Sequence, residues 1–297
     1  MISRLYEVIS KDRIRENVSM ANHTTFRTGG NADIMICPQT KEELKNIVKF
    51  LFENGSPYYI LGNGSNLLVS DEGIRNPVIL IGKNFSDIDV FEDCITARAG
   101  ALLSSVARKA ADNQLSGFEF AAGIPGTIGG ALIMNAGAYE GEMKDVVEAV
   151  NFLGPDGEEY VVSCEEMEFS YRRSVLSDTN CIILGTTIKL AKGNQKEIET
   201  KMAELAAKRR EKQPLEYPSA GSTFKRPEGY FAGALIESSG LKGKTIGGAQ
   251  VSEKHAGFII NKGGATTSDI LNLIEEVKST VYEKHGVMLE TEVKYWD

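Results

Sequence analysis

The stretch AAGIPGTIGGALIMNAGAY, Ala121 to Tyr139, constrains this chain more than any other. Five glycines and five alanines fall within it, and none of its residues is charged. Glycine permits positive φ and lets another backbone or a ligand approach closely. A core helix does not tolerate glycine at this density, and an ordinary surface loop is more polar. The stretch therefore reads as a buried, tightly turning segment. Either something flat and large lies against it, or small residues cross there in close packing with no ligand. N–H groups exposed in such turns form anion-binding concavities, so phosphate is the guest that fits the first alternative.

The chain has 297 residues, 42% of them hydrophobic, which is enough for a sizeable core and for two or three domains. A net charge of −8 excludes a global basic field for nucleic acid and a polybasic membrane tail. Cys37, Cys94, Cys164 and Cys181 are widely spaced, with no CxxC, and only three histidines accompany them. That leaves no metal pattern and suggests reduced, mostly buried thiols of a cytoplasmic protein. MISRLYEVISKDRIREN has no apolar leader core. No run of about 18 apolar residues is present that could span a bilayer.

Residues 1–20 alternate apolar and charged residues at helical spacing and predict a surface helix. HTTFRTGG, His23 to Gly30, is turn-rich; its Arg27 could hold an anion or make a surface ion pair. Thr40 and Glu43 form a capping box for a helix from Lys41 to Asn54, with Leu44, Ile47, Val48 and Leu51 on one face and Gly55 at its end. Tyr58 to Leu61 predicts a strand. Gly62-Asn63-Gly64-Ser65-Asn66 follows, and Leu67 to Val69 reads as another strand. The dinucleotide fingerprint fails here because the third glycine and the helix are missing. The loop's amide, hydroxyl and N–H donors suit a diphosphate, or it is an ordinary hairpin loop.

Strands are predicted at Val78 to Ile81, Cys94 to Ala99, Val146 to Leu153, Glu159 to Val162 and Cys181 to Leu190, with a helix from Ala101 to Asn113. A charged helix, Lys196 to Lys212, carries Ile198, Met202 and Leu205 on one face and stops before Pro214. A linker is placed near Gln213 to Pro218, ahead of a second glycine-rich zone, Ala220 to Gly248. Phe258 to Asn261 predicts a strand. Ser268 to His285 predicts a helix with Ile270, Leu271, Ile274, Val277 and Val281 inward. A last strand spans Val287 to Trp296, with Val287, Leu289, Thr291, Val293 and Tyr295 on one face and Glu290, Glu292 and Lys294 on the other.

Four constellations bear chemistry. Gly221-Ser222-Thr223-Phe224-Lys225-Arg226-Pro227 sets a serine beside two cations, without the elbow of a serine hydrolase. Serine at its ordinary pKa can protonate only a strongly basic carbanion or enolate beside it; otherwise Ser222 is a loop residue. Ser239 to Thr245 approaches a phosphate-binding loop but has Ser238 where the pattern needs glycine. What survives is Lys242 and Lys244 as point charges for a diphosphate, or as solvated lysines. Tyr171-Arg172-Arg173 sets guanidinium groups beside an aromatic ring, and arginine clamps carboxylates bidentately. Glu292 alone is a carboxylate on a polar strand face.

Together, HTTFRTGG, YILGNGSNLLV, AGIPGTIGGALIMNAGAYEGE, SYRRS, SAGSTFKRP, GLKGKTIGGAQVSEKHAGFIIN and GVMLETEV resemble the MurB family, the UDP-N-acetylenolpyruvoylglucosamine reductases. The seven motifs stand in the family's order and cover nearly the whole chain. The resemblance implies an α+β fold. It has a two-subdomain FAD-binding module like that of PCMH or vanillyl-alcohol-oxidase-type flavoproteins, plus a C-terminal α+β substrate domain. It places the first subdomain at 1–80, joined by the terminal strand 289–297, the second at 81–195, and the substrate domain at 210–288. It implies non-covalent FAD, NADPH as reductant, a UDP-sugar substrate, and a cytoplasmic monomer of peptidoglycan precursor synthesis that binds neither nucleic acid nor membrane.

By resemblance, Ser222 matches the proton donor, Arg172 the arginine of the YR motif, and Glu292 the glutamate of the terminal L-x-x-E-V pattern, with Glu290 the runner-up. Gly62, Asn63, Gly64, Ser65 and Asn66 match one flavin-binding segment. Ala122, Gly123, Ile124, Pro125, Gly126, Thr127, Gly129, Gly130, Asn135, Gly137 and Ala138 match the other. Tyr171, Lys225, Arg226, Lys242 and Lys254 fall to the sugar nucleotide. Only Ser174 to Asn180 separate the YR motif from the next strand, which resembles the branch without an extra tyrosine-bearing loop. In this reading an arginine holds the enolate formed on hydride addition, and a neutral or bridged Glu292 bonds it too. The alternatives are an FAD-dependent oxidase of the same superfamily with another substrate and a nucleotide-binding regulator. Ser222 beside two cations, with Glu292 at the C-terminus, argues for the reductase.

Overall fold

The computed structural model describes Leu5, Tyr6 and residues 8–297. They form two compact units. The first comprises 1–16, 34–63 and 76–207; the second comprises 17–33, 64–75 and 208–297. Each has its own apolar core. Helices and strands are mixed without regular alternation, so the fold class is α+β.

In the first unit, helix α1 (Lys41–Glu53) buries Leu44, Ile47, Val48 and Leu51 completely. Each of these side chains contributes about 1.5–3 kcal/mol by leaving water. The Thr40 hydroxyl accepts from Glu43 N–H, as a cap should. The Glu43 carboxylate, however, takes the N–H of Gln39 at 2.7 Å. A four-stranded sheet has the order Ile14–Ser19, Asn31–Ile36, Val78–Leu80, Tyr59–Leu61; residues 14–16, 34–36, 59–61 and 78–80 of it belong to this unit. Val78–Leu80 pairs in parallel with both of its neighbours. A five-stranded antiparallel sheet runs Glu159–Ser163, Val147–Leu153, Ile182–Lys189, Cys94–Arg98, Ile88–Phe91. Its last strand was not expected from the sequence.

Helix α2 (Leu103–Asp112) packs Leu103, Val106, Ala107 and Ala110 inward. Helix α3 (Ile128–Ile133) lies within the glycine-rich stretch itself. Helix α4 (Gln195–Lys212) buries Ile198 and Leu205, with Met202 half-buried against the core. In the second unit, helix α6 (Thr267–His285) packs against a three-stranded antiparallel sheet, Thr245–Ile246, Ala249–Val251, Ile259–Asn261, and helix α5 (Ala232–Ser238) packs against α6. Lys294–Trp296 pairs in parallel with Leu67–Val69.

Several expectations need correction. The helix expected over 1–20 is helical only at its start, at Leu5, Tyr6 and Val8, and a short 3-10 turn, Lys11–Arg13, and the strand Ile14–Ser19 follow; residues 1–4 and 7 lie outside the described residues. Pairing with Asn31–Ile36 overrides the local helical spacing. The strand expected over Val287 to Trp296 is regular only at Lys294–Trp296, with one isolated bridge at Thr291. Tyr295 is exposed rather than inward, whereas Leu289 and Val293 are buried. In α6, Leu273 is fully buried and Leu271 only partly so. The four cysteines are half-buried free thiols. No helix among the described residues is long and apolar enough to cross a membrane, and no cluster of His, Cys, Asp or Glu could hold a metal ion.

The start of α6 is tied to the chain by Asp71. Its carboxylate accepts from Thr267 N–H at 2.7 Å, Ser268 N–H at 2.8 Å and the Ser268 hydroxyl at 2.6 Å. Burial pushes the Asp71 carboxyl up, but these bonds outweigh it and hold its pKa below the ordinary value. The N–H groups of Thr266 and Gly248 lower Asp269 likewise. Both groups are depressed by folding. Their stabilisation is therefore complete above the unfolded carboxylate pKa of about 4 and disappears as pH falls through the lower folded values. Asp71→Asn should lower the urea midpoint at neutral pH. The gap from the parent should narrow as pH falls from about 6 to about 3. A gap that stays constant would contradict this account.

Candidate active site

The glycine-rich stretch is less buried than its composition suggests. Gly123, Pro125 and Gly130 are exposed, while Thr127, Ile128, Ala131 and Leu132 are buried. It also contains a helix, contrary to the propensity argument. The reason is a close crossing: a Cβ on Gly129 would stand 3.2 Å from Ala99 Cβ and 3.3 Å from Ala99 O. Gly129 N–H bonds Ala99 O, and Ile128 N–H bonds Ala101 O. Gly62 meets the same segment from the other side, where an added Cβ would lie 2.6 Å from Thr127 Oγ1. Asn63 Nδ2 donates to Pro125 O at 3.2 Å.

Gly62 and Asn63, from one loop predicted to hold the flavin, are thus joined to the other loop within the first unit. Their outward faces fit such a group. Gly130 has only Thr127 Oγ1, at 3.9 Å, near the place of a side chain. Among the described residues, the N–H group of Asn63 makes no main-chain hydrogen bond. Such a donor suits a diphosphate.

Gly64 serves a different end. It is buried at φ +60°, and a Cβ there would come within 1.9 Å of His23 O. HTTFRTGG is likewise structural in the second unit. Phe26 is fully buried, and its carbonyl accepts from Asn261 Nδ2 at 3.0 Å. Arg27 is exposed at φ +56°.

The turn carrying Arg172 is fastened to the glycine-rich stretch. Ser170 and Arg173 exchange N–H···O bonds, leaving Tyr171 and Arg172 at the tip. Asn135 is completely buried. Its Nδ2 donates to Ser170 O and to Glu142 Oε2, while its Oδ1 accepts from Lys144 N–H. Its side chain therefore positions loops. The hydroxyls of Ser174 and Ser177 both donate to Ile133 O, at 3.0 and 2.9 Å. Arg172 Nη2 donates to Gly137 O at 3.3 Å, and the guanidinium lies 5.0 Å from the Tyr171 ring centroid. Gly137 itself is packed against Gly141 and Glu142 in a short hairpin with Ala138. None of these anchors was visible in the sequence, because serine and asparagine are common in turns for many reasons.

In the second unit, Gly221 turns at φ +77° and Thr223 is fully buried. Ser222, between them, is left exposed. Thr223 accounts for its own burial. Its N–H donates to Gly257 O, its Oγ1 accepts from Ile259 N–H, and its carbonyl accepts from Glu292 N–H at 2.8 Å. Phe224 bridges Thr291, and Lys225 N–H donates to Glu290 O. The serine motif and the terminal glutamate motif therefore lie side by side in antiparallel register. Glu290 is exposed and paired with Lys225 Nζ at 3.0 Å, whereas Glu292 is half-buried.

The cations offered to the sugar nucleotide are engaged at the surface. Lys242 pairs with Glu237 at 2.6 Å, Lys244 pairs with Glu276, and Lys254 Nζ donates to Arg210 O at 2.6 Å. Exposed pairs like the first two contribute at most about 1 kcal/mol, so a diphosphate can replace them. Arg226 stacks 4.0 Å from the centroid of the exposed Phe231 ring.

Arg172 sits at φ +56°, where an L side chain strains the backbone. Arg172→Ala and Arg172→Gly both remove the guanidinium, but only alanine keeps the strain. The glycine variant should be more stable than the alanine variant by about 1 kcal/mol in urea unfolding. Equal stabilities would mean that the backbone rearranges once the side chain is gone.

Comparison with known proteins bears on both units. Residues 32–163 match the model of an FAD binding domain. Residues 213–296 match that of the UDP-N-acetylenolpyruvoylglucosamine reductase C-terminal domain. A UDP-N-acetylenolpyruvoylglucosamine reductase of Clostridioides difficile is 52% identical over 290 residues, covering 98% of this chain and 95% of the relative. One from Caldanaerobacter subterraneus subsp. tengcongensis is 51% identical, covering 99% and 97%. The crystal structure of the MurB reductase of Thermus caldophilus superposes with a TM-score of 0.83 at 40% identity, over 96% of this chain and all of that one. Wild-type Phl p 4.0202, a glucose dehydrogenase, shares the fold over 65% of this chain and 44% of its own, with a TM-score of 0.52 at 13% identity.

Proposed function

This chain belongs to the MurB family of UDP-N-acetylenolpyruvoylglucosamine reductases, and on that premise we propose that Ser222, Arg172 and Glu292 perform its chemistry. The reaction is the reduction, by NADPH through FAD, of the enolpyruvyl ether of UDP-N-acetylglucosamine to UDP-N-acetylmuramate, a peptidoglycan precursor. FAD, held against the backbone of residues such as Gly62, Asn63 and Gly130, would supply the hydride chemistry between NADPH and the terminal vinyl carbon of the substrate. Charge then develops at the adjacent carbon and on its carboxylate.

The Arg172 guanidinium holds that charge with planar, paired donors. Glu292 adds a hydrogen bond to the same group. The Ser222 hydroxyl delivers the proton that completes the reduction, so one hydride and one proton saturate the double bond. The observation that carries this reading is the antiparallel register of Thr223–Lys225 with Glu290–Glu292. It brings the serine and glutamate motifs, about seventy residues apart in sequence, together on one short contact.

Gly62, Asn63, Gly123, Gly126, Thr127 and Gly130 present backbone to the cofactor. Lys225, Arg226, Lys242 and Lys254, with Tyr171, bind the sugar nucleotide. Residues 1–80, with 289–297 returning, and 81–195 hold the flavin, and 210–288 the substrate. We take the protein to be a cytoplasmic monomer that binds neither nucleic acid nor membrane; its negative net charge fits the absence of a nucleic-acid partner.

Neither glycine-rich segment, 62–67 or 121–139, contains histidine or cysteine to tether the flavin. Acid precipitation should therefore release all the yellow colour into the supernatant; colour kept in the pellet would refute non-covalent binding.

Ser222→Ala should leave bleaching of the flavin by NADPH nearly intact, since no proton reaches the sugar in that half-reaction. Return of the colour on adding the enolpyruvyl substrate should slow about 10²–10⁴-fold. Ser222→Cys should recover part of the rate, because a thiol of pKa about 8.5 also donates. If the alanine variant slows both half-reactions equally in stopped flow, Ser222 is structural and the assignment fails.

A further inference from the structure

We propose that the side chain of Asn66 is a positioning residue for Glu292, fixing the peptide that carries the carboxylate, and is not a ligand of the flavin. The inference rests on the role given to Glu292 above. Asn66 ends the glycine-polar loop, one residue before the strand Leu67–Val69. The parallel ladder with Lys294–Trp296 begins at Leu67, and Asn66 O accepts from Lys294 N–H at 3.0 Å. The main-chain ladder goes no further toward Glu292. The Asn66 carboxamide does: its Nδ2 donates to Glu292 O at 3.1 Å. A carbonyl oxygen only accepts, so the NH₂ group must face it.

Glu292 N–H is already committed to Thr223 O at 2.8 Å. Both backbone polar groups of Glu292 are thus held, one from beside Ser222 and one by Asn66. This matters because residues 287–293 form no regular strand; the isolated bridge at Thr291 is their one strand-like contact. The peptide of Glu292 is therefore held by single bonds from Thr223 and Asn66, with buried Val293 beside it. Thr223 uses its carbonyl, which every residue has. Asn66 uses a side chain, so its contribution can be removed by mutation.

The test compares the parent holoenzyme with Asn66→Ala, Glu292→Gln and the double variant. Three quantities are read: flavin fluorescence released on dilution, bleaching by NADPH, and return of colour with the enolpyruvyl substrate. Asn66→Ala should leave the first two within about threefold and slow the third about 10–100-fold, the cost of a small displacement of a reacting group. Because Asn66 acts through Glu292, it should slow the Glu292→Gln enzyme by less than about threefold more.

Losses that multiply in the double variant would make Asn66 a general structural residue and overturn the proposal. So would flavin release at markedly higher protein concentration with colour return unchanged, which would make Asn66 a flavin ligand. If Glu292→Gln itself has no effect, the role of Glu292 falls and this proposal with it. If Glu292→Gln slows colour return and Asn66→Ala does not, the proposal alone fails. Asn66→Ser, which is milder, is read in the same way should the alanine variant not fold.

Discussion

The roles proposed for Ser222 and Glu292 depend on one short antiparallel contact, Thr223–Lys225 against Glu290–Glu292. It comprises one bridge and two flanking N–H···O bonds, far fewer than a sheet would supply. Burial makes up the difference. Thr223 and Phe224 are almost completely buried, and the Thr223 hydroxyl and N–H are both bonded inside the unit. Breaking any of these bonds leaves a buried polar group unpaired, at a cost of about 1–3 kcal/mol. The exposed Ser222 is held in place because the residue after it cannot move.

The same logic governs the arginine in the other unit. Arg172 occupies a backbone conformation that suits glycine, and the surrounding bonds enforce it. Asn135, Ser174 and Ser177 fasten the turn to the end of the glycine-rich stretch. That stretch is itself locked by the close crossing of Gly129 over Ala99. The glycines therefore do two different jobs. Gly129 and Gly64 permit protein-on-protein contact, whereas Gly130 leaves backbone open on the outer face. Composition alone does not separate the two, since both demand the absence of a side chain.

Charge is distributed to match. Lys225 and Lys242, assigned to the sugar nucleotide, stand in exposed pairs with Glu290 and Glu237. These pairs cost little to exchange for phosphate in water. The carboxylates of Asp71 and Asp269 instead accept several N–H bonds at the start of α6, and they stabilise the fold.

By itself, the sequence determined the elements whose signal is local. The cap and apolar stripe of α1, the α6 helix, the hairpin Val147–Leu153 with Glu159–Ser163, and the order of the seven motifs were all legible in it. Each depends on neighbours within a few positions, where periodicity and turn chemistry act. Tertiary structure decided the rest. It made Ile14–Ser19 a strand against its helical spacing and reduced the last strand to Lys294–Trp296 plus one bridge. It also placed α5 in a glycine-rich zone, turned Asn135 inward, and aimed Asn66 at Glu292. The partners of these residues lie tens to hundreds of positions away. A hydrogen bond between Asn66 and Glu292 leaves no periodic trace in the chain, because only folding makes the two residues neighbours.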